Sequence, residues 1–498
     1  MTHAKPSRGL ALAILIAAAT GCGSGPASDD PLAEAAGSSA KPAGDNAAQA
    51  SDSDSADDSA ADSNADSGGE AAKPFVLGDL IEPFDPPTLE EVDASASWVD
   101  RPVRDALEVM RELIADREVE LTAEEALELK NDSPANNEKM LAALGQLAPA
   151  DGSGVDYGET VVRHVTGDLK STNPVLASSV TEQEYHSLTA IGLITFDKNF
   201  EWFGVADVIE TWQTSEDRLI DKFVLRDDLH WSDGTKVTAH DFAFTFQVIM
   251  TDAVFVPAVR QGTDQLKGVV AYDDRTLVYF HKESLPINTE NIQFFPLPKH
   301  RYETTIADDP TLSRSDAHSA LEDKPVVAGP YELVKRSRGQ EFVFRRRENY
   351  HLVAGEQVRA KPYLEEVRIK VIEDANTALL AFKQGDLDQM ELRAEQWVNQ
   401  TDGDDYYKRN TKVADTEWVE FHFVWNQKSP FFEDRRVRWA MTYAMDYEEL
   451  IETICYGLYE QSRGNYHPSA WMFPKDGPEA VVQDLDKATD LLAEAGWE

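Results

Sequence analysis

Aromatic side chains all but vanish before Phe75 and become frequent after Tyr157, which confines any sizeable core to the later part of the chain. From Gly23 to Ala72 the residues are mainly Ser, Ala, Asp and Gly, as in Ser51-Asp52-Ser53-Asp54-Ser55. Such a segment buries too little apolar surface to offset its ordering entropy and is expected to be disordered. At 498 residues the chain exceeds the usual size of one domain, so more than one folding unit is expected beside this segment.

The extreme N-terminus has three zones: Lys5 and Arg8, a short apolar run from Leu10 to Ala19, then Thr20-Gly21-Cys22. The run is shorter than the ~20 residues of a spanning helix, and the zones read as a signal peptide over 1–21. A cut before a cysteine flanked by small residues resembles a bacterial lipobox, which makes Cys22 the expected site of lipidation. Ala19 stands where that motif usually carries leucine, and ordinary cleavage near Ala19 is the alternative. Residues 22–82 would then be a lipid-anchored, self-repelling linker that holds a folded domain off a membrane. Gly23 is not the aspartate associated with inner-membrane retention, so inner and outer membrane both stay open.

The net charge of −43 argues against nucleic acid or anionic lipid as a bound partner, because a polyanion would be repelled. A cationic ligand or a salt-rich habitat would suit it, but so would plain solubility. Cys22 and Cys455 are the two cysteines, too few for a disulfide framework or a thiolate metal cluster. Cys455, in the apolar stretch 451–456, reads as a small buried side chain.

Residues 83–159 read as an accessory helical segment packed on the main domain. Val103, Leu107, Met110 and Ile114 fall at helical spacing, Thr122 to Glu125 forms a capping box, and Leu141, Leu144 and Leu147 suggest a third helix. From about Thr160 strands and helices alternate, an α/β pattern. Asp233-Gly234 marks a tight turn after Phe223 and Leu225, and Thr238 to Asp241 caps a helix through Phe242, Phe244, Phe246 and Ile249. Tyr331 opens a strand pair in which Phe342 and Phe344 alternate with polar residues. Val367, Ile369 and Val371 make another half-buried strand, and a helix from Ala375 to Lys383 ends at Gly385.

The wording and order of these pieces resemble the family 5 extracellular solute-binding proteins, with their oligopeptide-, dipeptide- and nickel-binding members. Asp168 to Pro174 is similar to the first-strand signature ending in Asn-Pro, and Leu225 to Phe242 to the family's most recognisable block. Gly329-Pro330-Tyr331 with Arg347 to Tyr350, Gly385 to Asp388, Asn426 with Pro430 to Asp446, and Lys487 to Trp497 follow in order. The resemblance covers residues 160–498. It implies a two-lobed fold of the type II periplasmic-binding kind. Lobe one would take 160–203 and 326–416, an inserted subdomain 204–325, and lobe two would begin at 417. The family chain continues past the Ala495-Gly496-Trp497 helix. Lobe two is therefore expected to be incomplete, leaving apolar faces and sheet edges uncovered, with poor solubility or weak affinity as the consequence.

The implied function is capture of peptides, or another small solute, and delivery to the permease and ATPase subunits of an ABC importer. The expected setting is the periplasmic face of a bacterial membrane, with the protein a monomer held by its lipid anchor. In peptide-binding relatives an extended ligand pairs with backbone just after the Asn-Pro strand, a position held here by Val180, Thr181 and Glu182. Trp425 and Asn426 lie where the chain enters lobe two, and Trp425 either lines the cleft or fills a core. No Gly-x-Ser-x-Gly, P-loop or His-Glu-x-x-His pattern occurs, so no enzyme, cofactor or metal is expected. His230 and His240 read as surface or capping residues, and Asp227-Asp228 with Asp402, Asp404 and Asp405 as solvated loops. The alternative function is a non-transport surface receptor or interaction lipoprotein that retains part of the fold.

Overall fold

The computed structural model describes residues 74–115, 118, 120–144, 155–415, 420–468, 470–477 and 479–497. The expected signal peptide, Cys22 and most of the expected linker lie outside these residues. Within them the chain forms an α/β body with two principal sheets. The first has four strands, in the order Tyr331–Ser337, Glu341–Arg346, Glu366–Val371, Thr160–Val165. Its first three strands are antiparallel neighbours, whereas Thr160–Val165 pairs in parallel with Glu366–Val371, Val161 opposite Val367 and Arg163 opposite Ile369. Val161, Phe342, Phe344, Val367 and Ile369 turn to one face and pack with Tyr185 and Leu188 of the helix Val180–Thr189. The period-two apolar pattern thus sets the buried face.

The second sheet is antiparallel and drawn mostly from 204–325. Its order is Trp98–Asp100, Ile209–Ser215, Ile220–Leu225, Thr276–His281, Leu266–Ala271. The helix Ala239–Ile249 covers it, capped as its sequence predicts: the Asp241 carboxylate accepts from the Thr238 N–H at 2.8 Å and from the Lys299 N–H at 2.9 Å. Phe242, Phe244 and Phe246 are all buried, so this helix is apolar on more than one face and lies inside the body. The turn at Asp233-Gly234 needs a left-handed residue, and Gly234 supplies φ +87°.

Three expectations change. The linker expected to run to residue 82 gives way to packed chain by Phe75: Phe75, Leu77 and Ile81 pack on the main core, and the Leu80 N–H donates to Met250 O at 3.0 Å. The segment 83–159 is not purely helical. Trp98–Asp100 adds an edge strand to the second sheet, and Val103–Arg104 joins Trp202–Val205 in parallel. Val103 therefore sits in a strand, and the helix begins at Ala106. The capping box at Thr122 and Glu125 forms, opening the helix Ala123–Glu128, and a further helix spans Pro134–Leu144, whereas Leu147 lies outside the described residues. Asp228 is not merely solvated: it pairs with Arg226 and Arg359 and ties the 226–230 loop to residue 359.

Gly329 explains itself by contact. A Cβ there would lie 2.5 Å from the Thr189 carbonyl carbon, where the Gly329 N–H donates to Thr189 O at 2.7 Å. Gly329→Ala is expected to cost about 1–3 kcal/mol by forcing these two chain segments apart, read as a lowered midpoint in urea denaturation.

Candidate functional site

A cleft of about 3640 Å³ opens between the α/β body and the segment 420–497. Its walls come from distant parts of the chain. Phe196, Phe200 and Trp202 contribute one side, Trp397, Tyr406 and Tyr407 another, and Phe421, Phe423 and Trp425 a third. The last three lie on the stretch 420–425, every residue of which borders the cleft. Trp425 stacks against Phe423 at 6.4 Å and meets Phe432 at 4.7 Å between centroids. Phe421 is 81% exposed, an unusual position for a large apolar side chain. Trp471 bridges the cleft to residues 199 and 200, its backbone N–H donating to Asn199 O and its indole N–H to Phe200 O, both at 3.1 Å. The helices Arg435–Ala444 and Leu485–Glu494 back this side: Ala440 and Ala488 are buried, and the Arg436 guanidinium donates to Glu494 O at 2.7 Å.

The first sheet meets the cleft through Asp388. Asp388, after the helix Ala375–Gln384 and its left-handed cap Gly385, grips Val162: the Val162 N–H donates to Asp388 Oδ2 and the Asp388 N–H to Val162 O, both at 2.8 Å. This continues the sheet edge into the cleft, which Asp388 lines.

The accessory helices form part of the wall. Residues 130–134 and Asn137 border the cleft. They are fastened to the 404–414 stretch by reciprocal bonds of Asn137 with Ala414 (2.6 and 2.8 Å), by Asn131 Nδ2 donating to Lys412 O (2.9 Å), by the Tyr407 hydroxyl donating to Asn131 O (3.0 Å), and by a Lys130–Asp404 ion pair. Asp404 and its neighbours are thus surface residues that hold a joint.

The site residues expected from sequence divide. Trp425 lines the cleft. Asn426 does not; its side chain accepts from the Lys428 N–H at 3.0 Å and shapes a turn. Val180, Thr181 and Glu182 open the helix Val180–Thr189, so their backbone is coiled and offers no strand edge to an extended ligand. They do not border the cleft, and Glu182 is fully buried, accepting from the Lys170 N–H (3.0 Å), the Ser178 N–H (3.1 Å) and the Ser179 hydroxyl (2.7 Å). Its role is to hold the loop after the first strand. Asn173 likewise caps a 3₁₀ turn at Pro174. Cys455 is partly exposed and borders the cleft, where a buried side chain was expected. Phe421 and Phe423 were missed in the sequence, where their recurrence with Trp425 at every second position was the available signal. Trp397 and Lys412 carried none.

The protein is thus an α/β body with an open cleft walled by aromatic side chains. Residues 205–498 match the model of the bacterial extracellular solute-binding proteins, family 5 (middle), and the chain belongs to that family. Among curated relatives, the oligopeptide-binding protein AppA of Bacillus subtilis is 26% identical over 277 residues, 55% of this chain and 48% of its own. The periplasmic murein peptide-binding protein MppA of Escherichia coli is 24% identical over 370 residues, 68% of this chain and 63% of its own. The chain thus spans about half the length of the Bacillus relative. The fold is that of solved two-lobed periplasmic binding proteins. Bacillus subtilis AppA in complex with a nonapeptide superposes with a TM-score of 0.58 at 24% identity, covering 69% of this chain and 65% of that one. DppA of Helicobacter pylori in complex with the peptide STSA gives 0.55 at 19% identity, covering 68% and 66%.

Glu182 separates structure from binding. Glu182→Ala leaves two backbone donors and a hydroxyl without their acceptor, and is expected to cost at least about 1–3 kcal/mol in urea denaturation, while any ligand bound in the cleft keeps its affinity under conditions where the variant is folded.

Proposed function

We propose that this chain captures peptides in the aromatic cleft and delivers them to the permease and ATPase of an ABC importer. The observation that carries the proposal is the cleft itself, shared in fold with proteins solved around peptides. Its volume far exceeds the ~300–1,000 Å³ of a small-molecule pocket, which suits an extended chain. Aromatic faces hold side chains of varied shape through apolar contact, the tolerance that a peptide scavenger needs. Capture and release, with no bond made or broken, is the chemistry these walls support.

The same reading places the protein outside the cytoplasm, tethered through a lipid on Cys22 by the Ser/Ala/Asp-rich segment and working as a monomer. Support comes from the residue pattern around Cys22 and from the extracellular character of the family. Among the described residues no helix is long and apolar enough to cross a membrane.

The test is retention. The full chain, incubated with a casein hydrolysate and separated from free peptide, is expected to hold peptides detectable by mass spectrometry; retention of none would end the reading. Trp425→Ala is expected to lower retention about tenfold or more, as truncation of a central aromatic contact does, with the melting temperature little changed. Cys22→Ser is expected to move the protein from the membrane to the soluble fraction on cell fractionation.

A further inference from the structure

Where the accessory helices meet the cleft they surround one charged side chain. Lys412 is only 7% exposed, yet it borders the cleft. An ammonium carries three N–H donors. Two of those of Lys412 are used, on Trp397 O at 2.5 Å and Thr401 Oγ1 at 3.1 Å. The Trp397 and Tyr407 rings flank it, with centroids 4.6 and 5.9 Å from Nζ. No carboxylate of the described residues forms an ion pair with it; burial pulls its pKa below the ordinary lysine value, and Asp402 opposes this from longer range. A buried charge with no carboxylate in contact is costly, and the cost falls when a counter-charge reaches it.

The surroundings are built. Asn131, itself 4% exposed, donates to the backbone carbonyl of Lys412 and accepts from the hydroxyl of Tyr407, the ring beside the ammonium. One residue of the accessory segment therefore holds both the lysine and part of its aromatic box. Asp132, Asp402 and Asp415 also border the cleft. The lysine is thus a point of positive charge among acidic neighbours, a field that orients a solute carrying both signs.

We propose that Lys412 is the subsite for a carboxylate of the captured solute, and that residues 123–144 are the element that builds it. This rests on the cleft being the capture site. A purely architectural lysine would cap the carbonyl end of the short helix Ala394–Asn399 and place no demand on the charge of the ligand.

The experiment offers the full chain a casein hydrolysate in two forms, untreated and methyl-esterified, and quantifies retained peptides by mass spectrometry. Esterified peptides are expected to be retained about tenfold less, the loss of one charge-assisted hydrogen bond. Lys412→Met is expected to retain both pools alike, and Lys412→Arg to keep the preference. Equal retention of both pools by the unaltered chain overturns the carboxylate subsite and leaves peptide capture standing. Preference that survives in Lys412→Met places the subsite elsewhere and also overturns it. Retention of neither pool overturns capture itself, and the subsite with it. The comparison on the unaltered chain holds even if a variant fails to fold, which thermal melting reports.

Discussion

The parallel pairing of Thr160–Val165 with Glu366–Val371 is the constraint on which the rest depends. These strands are separated by the whole of 204–325, so closing them costs loop entropy that local contacts cannot repay early. The apolar face shared by Val161, Val367, Ile369 and the helix Val180–Thr189 supplies the return. Once closed, the pair brings Asp388 to the edge of the sheet and thereby aims the following chain, with Trp397 and Lys412, along the cleft.

Two buried carboxylates secure the loop between strand and helix. Glu182 collects donors from residues 170, 178 and 179, while Glu322 takes the Ser171 hydroxyl (2.5 Å) and the Thr172 N–H (2.8 Å) from the far side. Buried acceptors so fully used are positioned rather than available, which is why residues after the Asn-Pro motif, promising as a ligand edge on resemblance, act as scaffold. The cleft is bordered instead by aromatic side chains and by the largely buried Lys412.

The accessory segment changes character in this light. Its first part completes sheets, and its second part is pinned by Asn131 and Asn137 to the stretch that leads toward the aromatic wall. Local propensity explains the helices: the Thr122–Glu125 capping box suffices to start one. Nothing local explains the docking, which depends on amide side chains finding backbone groups more than 270 residues away.

Much of the fold was legible in the sequence because its signals are local and periodic. The cap at Thr238, the turn at Gly234, the alternation of Phe342 with Phe344 and the stop at Gly385 each follow from backbone chemistry within a few residues. The family followed from such blocks in their order along the chain. Tertiary structure alone decided which of these residues face the cleft. Whether Glu182 binds a ligand or staples a loop, and whether Val103 extends a helix or a sheet, turns on partners that arrive from elsewhere in the chain. Burial and hydrogen-bond satisfaction, unlike periodicity, are properties of the assembled fold: a lysine at 412 is an ordinary surface residue until Trp397, Tyr407 and Asn131 close around it.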